Sequence, residues 1–478
     1  MQTASQKEFK ERMRRAIEVY GKAQEFYERL THNQKAARML RCRAAVKYLG
    51  FWLTFDPSEK RKLLDECLEL KKNALAAFWT LGKMSEYCRT YSELSLAFFH
   101  RLSLELDGQV RKGIVEEGIQ WGEKAVAVLP ELGDPYESAR AHFVLATCLG
   151  AQTVGGFFGG LLVPDIEKQE LHRLKVVEYL CKALEFSEKV GDALLLGLSH
   201  FWLGTETTPH AVGEESVRHF EKTLECGKET RDNFLIAGAL DFLAYTTYWK
   251  AIATEEPNQR RKLAEEAIQL YEKCQHYYSL ISSLSPRGGL IAPPGGYVEH
   301  YLYLAMWETN PKKRLEFLEN SEKAGMEALK VAENSDMPAV VATVLHMVSK
   351  TLETQAHLEP DPAKRRSHLQ KALKYREKTI EIYEQLTPFD YWNRGVMENY
   401  LAGIKAELAD IEPFNGKRRL LEEAAVSKEK CLKLCGKVTS YSERMGNIML
   451  FALLHRYQDT YTTLLMQLYD VAKKTRTP

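Results

Sequence analysis

Apolar side chains recur three or four residues apart along much of the chain, with lysine, glutamate and arginine between them. Leu263, Ala267, Leu270, Tyr271 and Cys274 form one such stripe, and Met13, Ile17, Tyr20, Tyr27 and Leu30 form another. This spacing gathers the apolar groups on one face of a helix. A helix with one apolar face cannot bury it alone, so the pattern predicts a stack of mutually covering helices rather than one central core.

Self-similarity marks where the helices begin. In four segments an aspartate stands twelve residues ahead of the second member of a small or apolar pair: Asp134 with Leu145-Ala146, Asp192 with Leu203-Gly204, Asp232 with Leu243-Ala244, and Asp336 with Met347-Val348. Ala139, Gly197, Ala237 and Val341 follow these aspartates by five. A carboxylate accepts from the unpaired N–H groups of a first turn, so each aspartate is expected to open a helix, here called A. The small residues further on would let a partner helix approach.

Prolines mark that partner, helix B. Pro57, Pro257, Pro311, Pro362 and Pro413 each precede a basic cluster and an amphipathic run, and the last three intervals are 54, 51 and 51 residues. Proline suits the first helical turn because its missing N–H has no partner there, and Asp56, Asn310 and Asp361 stand directly before it as caps. Asp56 with Glu59 has capping-box spacing. The expected fold is all-α, an α-solenoid of antiparallel helix hairpins over residues 1–440. A long capping helix, roughly Glu443 to Lys474, closes it within 441–478.

These features resemble the tetratricopeptide-repeat family. In ALEFSEKVGDALLLGLSHFWLG, Ala183 to Gly204, the helix-ending Gly191-Asp192, the small Gly197 and the pair Leu203-Gly204 are similar to that family's pattern, in the long-repeat variety found in signalling proteins. The likeness is most specific from about Pro135 to Lys250, and the aspartate intervals of 40 to 58 residues exceed the family's ~34. It implies a right-handed superhelix whose A helices face inward six, nine, thirteen and sixteen residues after the aspartate. Those positions are Arg140, Phe143 and Thr147; Phe201, Thr205 and Thr208; Asp241, Tyr245 and Tyr248; and Leu345, Ser349 and Leu352. Aromatic rings beside a few placed charges suit a ligand or peptide groove. The resemblance therefore nominates Arg140, Phe201, Thr205, Asp241, Tyr245 and Tyr248, with Arg140 suited to a carboxylate and Asp241 to a basic group.

Two stretches break the period, near 154–164 and 285–297. Both are glycine-rich yet apolar, carrying Phe157, Phe158, Leu161 and Leu162 in one and Leu290 and Ile291 in the other. Water would not hold them, so each is expected to fold inward, either as a plug or as a pocket lining to which Arg287 would belong. The irregular Thr205 to Glu215 stretch, with Pro209 and His210, adds to an elaborated central region.

Composition narrows the function. Sixty-six basic against 65 acidic residues give a formal charge of +1, so no overall field recruits nucleic acid or an anionic membrane. Nine scattered cysteines without a Cys-x-x-Cys, and a charged rather than apolar N-terminus, point to a reducing, cytoplasmic setting. No phosphate-binding loop, nucleophile elbow or zinc-protease motif occurs, so no cofactor, metal or catalytic residue is nominated. Cys431 and Cys435 continue an apolar stripe and read as core thiols; His142 and His200, eight residues after their aspartates, read as buried, hydrogen-bonded rings.

The leading expectation is a non-enzymatic sensor or scaffold that binds a protein or peptide, or a small ligand in the central groove, with no nucleic acid and no membrane. One alternative is an enzyme using His210 or His300 as base. Another is a membrane-active protein using the uncharged Phe143 to Val163, about the 20 residues a span requires.

Overall fold

The computed structural model describes residues 5–474 apart from 55, 106, 130–131, 154–165, 207–212, 282–295, 335–337, 387–388 and 445–447. Nearly all of both glycine-rich insertions, with Arg287, Asp336, Thr208 and His210, therefore lie outside the described residues. Among the described residues there is no strand, and eighteen helices follow one another: α1 (Gln6–Glu28), α2 (Lys35–Phe51), α3 (Pro57–Thr80), α4 (Met84–Leu102), α5 (Gly108–Val128), α6 (Pro135–Thr153), α7 (Ile166–Val190), α8 (Ala193–Glu206), α9 (Glu214–Thr230), α10 (Asn233–Ala253), α11 (Pro257–Ile281), α12 (Gly296–Trp307), α13 (Pro311–Asn334), α14 (Pro338–Leu358), α15 (Pro362–Leu386), α16 (Tyr391–Ile411), α17 (Phe414–Arg444) and α18 (Ile448–Lys474). They form two compact units, one holding α1 to α6, α7 from Glu170 onward and α8 to α11, the other holding the start of α7 and α12 to α18 apart from Asn334.

The aspartates act as the spacing predicts. Asp134 accepts from the N–H groups of Tyr136 (3.0 Å) and Glu137 (3.2 Å), Asp192 from Leu195 (2.9 Å), and Asp232 from Phe234 (3.1 Å) and Leu235 (3.2 Å), opening α6, α8 and α10. Asp390 does the same for α16, accepting from Asn393 (3.0 Å), and it too has a small residue five on, Gly395, and a pair ending twelve on, Leu401-Ala402. The repeat thus has another member that the sequence reading passed over. Prolines begin α3, α11, α13 and α15, while α17 starts just after Pro413, whose carbonyl accepts from Lys417 N–H at 2.9 Å. At Asp56 only half of the capping box forms: its carboxylate accepts from Glu59 N–H (2.9 Å), but Thr54 intervenes, receiving Asp56 N–H and bonding the Glu59 carboxylate.

The basic clusters at the starts of B helices serve the ends of A helices. Arg61 reaches the carbonyl of Leu104 (2.8 Å), and Arg260 that of Thr254 (2.8 Å). Buried Arg111 reaches those of Leu102 and Glu105, and Arg366 pairs with Glu412 at 2.8 Å. Terminal carbonyls left without an intrahelical partner, at the negative end of the helix dipole, are what a cation there satisfies.

Turns of two residues join α7 to α8, α9 to α10 and α16 to α17, and so short a link returns the chain antiparallel. The small residues permit the contact. A methyl added at Gly197 would stand 2.8 Å from Cys226 Cβ, and one at Gly204 2.6 Å from the Phe220 ring. Ala146 and Ala244 are wholly buried at the equivalent of Gly204. In the first unit the core from α2 to α6 gathers Leu68, Phe78, Leu94, Ala97, Phe98 and Ala125. The fold is thus all-α, built from consecutive antiparallel hairpins in which helices pack on those one or two places away in the chain.

Candidate recognition surface

In the first unit, α2, α4 and α6 are successive A helices, and charge crosses the seams between them. Glu93 on α4 accepts from Arg41 on α2 (3.1 Å) and Lys71 on α3 (2.6 Å), and Arg140 on α6 stands 3.8 Å away. Arg41 also pairs with Glu86, which Arg38 approaches at 3.4 Å, and Arg89 pairs with Glu137, which holds Arg140 at 3.3 Å. Burial alone would push the Glu93 carboxyl up, but Lys71, Arg41 and Arg140 together outweigh it and hold the group well below the usual carboxylate range. Arg140, nominated from sequence, is therefore a half-buried member of an internal network, already engaged by Glu137.

The other nominated residues divide. Phe201 lies in the core, edge-on to Phe220 and Phe242 (6.2 and 5.6 Å between ring centres), in space that Gly238 leaves open. Thr205 is half-buried, and its hydroxyl donates to the carbonyl of Trp202 (2.7 Å) within its own helix. Tyr248 is buried, with its ring against Trp249. Asp241 and Tyr245 remain half-buried, one turn apart on α10, so this pair shares a face as the register implies.

The two repeat-position histidines are paired. His142 is buried, bonds the carbonyl of Ser138 (2.7 Å) and stacks on Phe186. His200 and His219 meet through their Nδ1 atoms at 2.8 Å, and burial followed by the His219 charge pulls His200 down to about 4. Cys431 and Cys435 are buried, and all nine cysteines are free thiols. Among the described residues no three His, Cys, Asp or Glu side chains gather as a metal site, and no helix is long and apolar enough to cross a membrane. His210 and the side chain of His300 lie outside the described residues.

In the second unit the sequence register is off by one. Leu345, Ser349 and Leu352 are fully buried, and the half-buried line on α14 is His346, Lys350 and Glu353, continuing to exposed His357. Across from it, α16 offers Tyr400 and Glu407. Lys350 Nζ stands 5.8 Å from the Tyr400 ring centre, and His357 bonds Glu407 at 2.6 Å. Beneath them Arg376 of α15 is wholly buried. Its position held a signal: it sits in the buried stripe Leu369, Ala372, Thr379, Tyr383 and Leu386, where an apolar residue is the rule.

These hairpins make an all-helical repeat fold, one helix pair following the next. Solved structures similar to this chain include the signal-transduction ATPase with numerous domains carrying a tetratricopeptide-repeat sensor from Pyrococcus horikoshii, at 15% identity over 78% of this chain and 55% of that one, with a TM-score of 0.39. A Rap protein complexed with Competence and Sporulation Factor is similar at 12% identity over 76% and 81% of the two chains, with a TM-score of 0.44. The human IFIT1 dimer with m7Gppp-AAAA is similar at 11% identity over 97% and 95%, with a TM-score of 0.36. This chain thus spans little more than half the length of the first of these proteins. No family model matches the chain, and no curated protein does.

Proposed function

We propose that this chain is a non-enzymatic recognition module, the sensor or scaffold part of a cytoplasmic signalling assembly, and that it holds a protein or peptide against its A-helix faces. The observation that carries this reading is the polar seam. Eight charged groups, Arg38, Arg41, Lys71, Glu86, Arg89, Glu93, Glu137 and Arg140, are spent where α2, α4 and α6 meet. Part-buried ion pairs return about what their desolvation costs, so well-packed apolar residues would serve stability at least as well. What such a network does supply is fixed charges of both signs, held in place and still reachable at the edge, which is what complementarity to a charged partner needs. The nine free thiols suit a reducing compartment.

The test begins with the protein isolated together with its native partner, identified by mass spectrometry. Arg89→Gln, at the outer edge of the network, and Asp241→Asn are each expected to weaken that complex at least tenfold, with an unchanged far-ultraviolet circular-dichroism spectrum showing that the fold is kept. Saturating partner should slow hydrogen exchange in α4, α6 and α10. Full affinity in both variants, together with unchanged exchange in those helices, would overturn the proposal.

A further inference from the structure

Arg376 is a buried cation whose hydrogen bonds are only partly met. Its Nη1 donates to Nδ1 of His346 and lies 3.2 Å from the sulfur of Met397. Since a guanidinium can only donate, His346 Nδ1 must be the acceptor and its ring neutral, in keeping with a pKa that burial and the Arg376 charge hold well below the usual histidine range. The Tyr400 ring covers one face, 4.9 Å from the guanidinium carbon. That leaves one edge. Nε and Nη2 are buried, and neither has a hydrogen-bond partner.

These two nitrogens are the side-on fork of arginine, two parallel N–H groups spaced to meet both oxygens of one carboxylate or phosphate. An unmet charged donor pair deep in a protein is costly, and native folds seldom keep one without use. Glu353 is the obvious internal partner. It lies on the half-buried line of α14 and is the carboxylate whose charge acts most strongly on Arg376, yet the two make no ion pair within 4 Å. Lys350, also beside Tyr400, adds a second cation along the same line.

We propose that the Nε–Nη2 edge of Arg376 is a binding site for one oxyanion group, a carboxylate or a phosphate, entering along the line between α14 and α16, and that the nearby Glu353 carboxylate, which does not bond this edge, is the charge that opposes its entry. This inference is independent of the recognition reading, because it concerns the unmet bonds of one side chain in the second unit. A failed anion titration would leave the Arg89 and Asp241 tests standing.

The experiment titrates the full chain with inorganic phosphate and, separately, with acetate, against sodium chloride at equal ionic strength, following melting temperature and calorimetric heat. Wild type should gain several degrees with the oxyanion that fits and none with chloride. Glu353→Gln should bind that oxyanion at least fivefold more tightly, its competing charge gone, and Arg376→Met should lose the effect. A response to phosphate alone assigns the site to a phosphate group, and a response to acetate assigns it to a carboxylate. If neither anion raises the melting temperature of wild type or Glu353→Gln, the proposal fails, whether or not Arg376→Met folds. It fails equally if Arg376→Met folds and keeps the response.

Discussion

His100 and Glu206 show two opposite ways in which burial writes pH dependence into a fold. His100 sits among Tyr48, Phe51 and Trp52, at 5.7, 5.8 and 5.0 Å between ring centres, and burial pulls it down to about 3. The unfolded chain, at ~6.5, takes up the proton first, so the stability linked to this ring is full above that pH and drains away as pH falls toward 3. Replacing the ring with one that cannot titrate, His100→Phe, should flatten the loss of melting temperature between pH 6.5 and 4. A slope as steep as wild type would show that the ring does not carry it. Glu206, at the end of α8, is buried with Oε1 unpartnered, and burial, eased by Arg173 and reinforced by Glu170, raises it to about 7. Here the folded state binds the proton more tightly than the unfolded one, so stability declines as pH rises from ~4.5 to 7, by about 3 kcal/mol in all. Glu206→Gln should therefore gain on wild type in calorimetric melts as pH goes from 5 to 8. A constant difference across that range would rule the carboxyl out as the titrating group.

At the scale of the helix, the same glycine does different work according to what faces it. Gly204 on α8 meets the Phe220 ring, and a methyl there overpacks the α8–α9 contact, so Gly204→Ala should cost about 1–3 kcal/mol. Nothing lies within 4 Å of a methyl at Gly113 on α5, and Gly113→Ala should stabilise by ~1 kcal/mol through helix propensity. Urea midpoints moving in opposite directions would confirm both, and midpoints moving together would refute the packing argument. Close approach and capping are local chemistry, which is why the aspartates and small residues could be read directly from sequence. Asp390, Gly395 and Leu401-Ala402 obey the same offsets and were legible in the same way. The recognition face was harder to read because the rotation of a helix about its axis is set by what packs behind it. One residue of drift turns the face by ~100° and exchanges buried Leu345, Ser349 and Leu352 for half-buried His346, Lys350 and Glu353. Nor does spacing reveal that Arg140 would be claimed by Glu137, or that Arg41 would find Glu93 some fifty residues away. Arg376 alone was open to reading, as a cation in an apolar stripe.

Within each unit, every sizeable helix contact among the described residues joins elements one or two places apart in the chain, so stability should be a sum of neighbour terms rather than the property of one core. Leu94 tests this within the first unit. It is fully buried in the cluster that ties α2 to α6, and Leu94→Ala removes side-chain volume that the surrounding helices cannot fully reclaim, a cost of about 2–5 kcal/mol. In a single cooperative core that loss would be felt by every amide that exchanges through global opening. In a neighbour-coupled stack it should be confined to the helices that touch the cavity and fade with distance along the chain. Hydrogen exchange followed by mass spectrometry should therefore show protection falling in α3, α4 and α5, while α10 and α11, several elements downstream in the same unit, keep wild-type rates. Equal acceleration in α4 and α11 would mean that the unit opens as one body, and the neighbour-sum description would have to be given up.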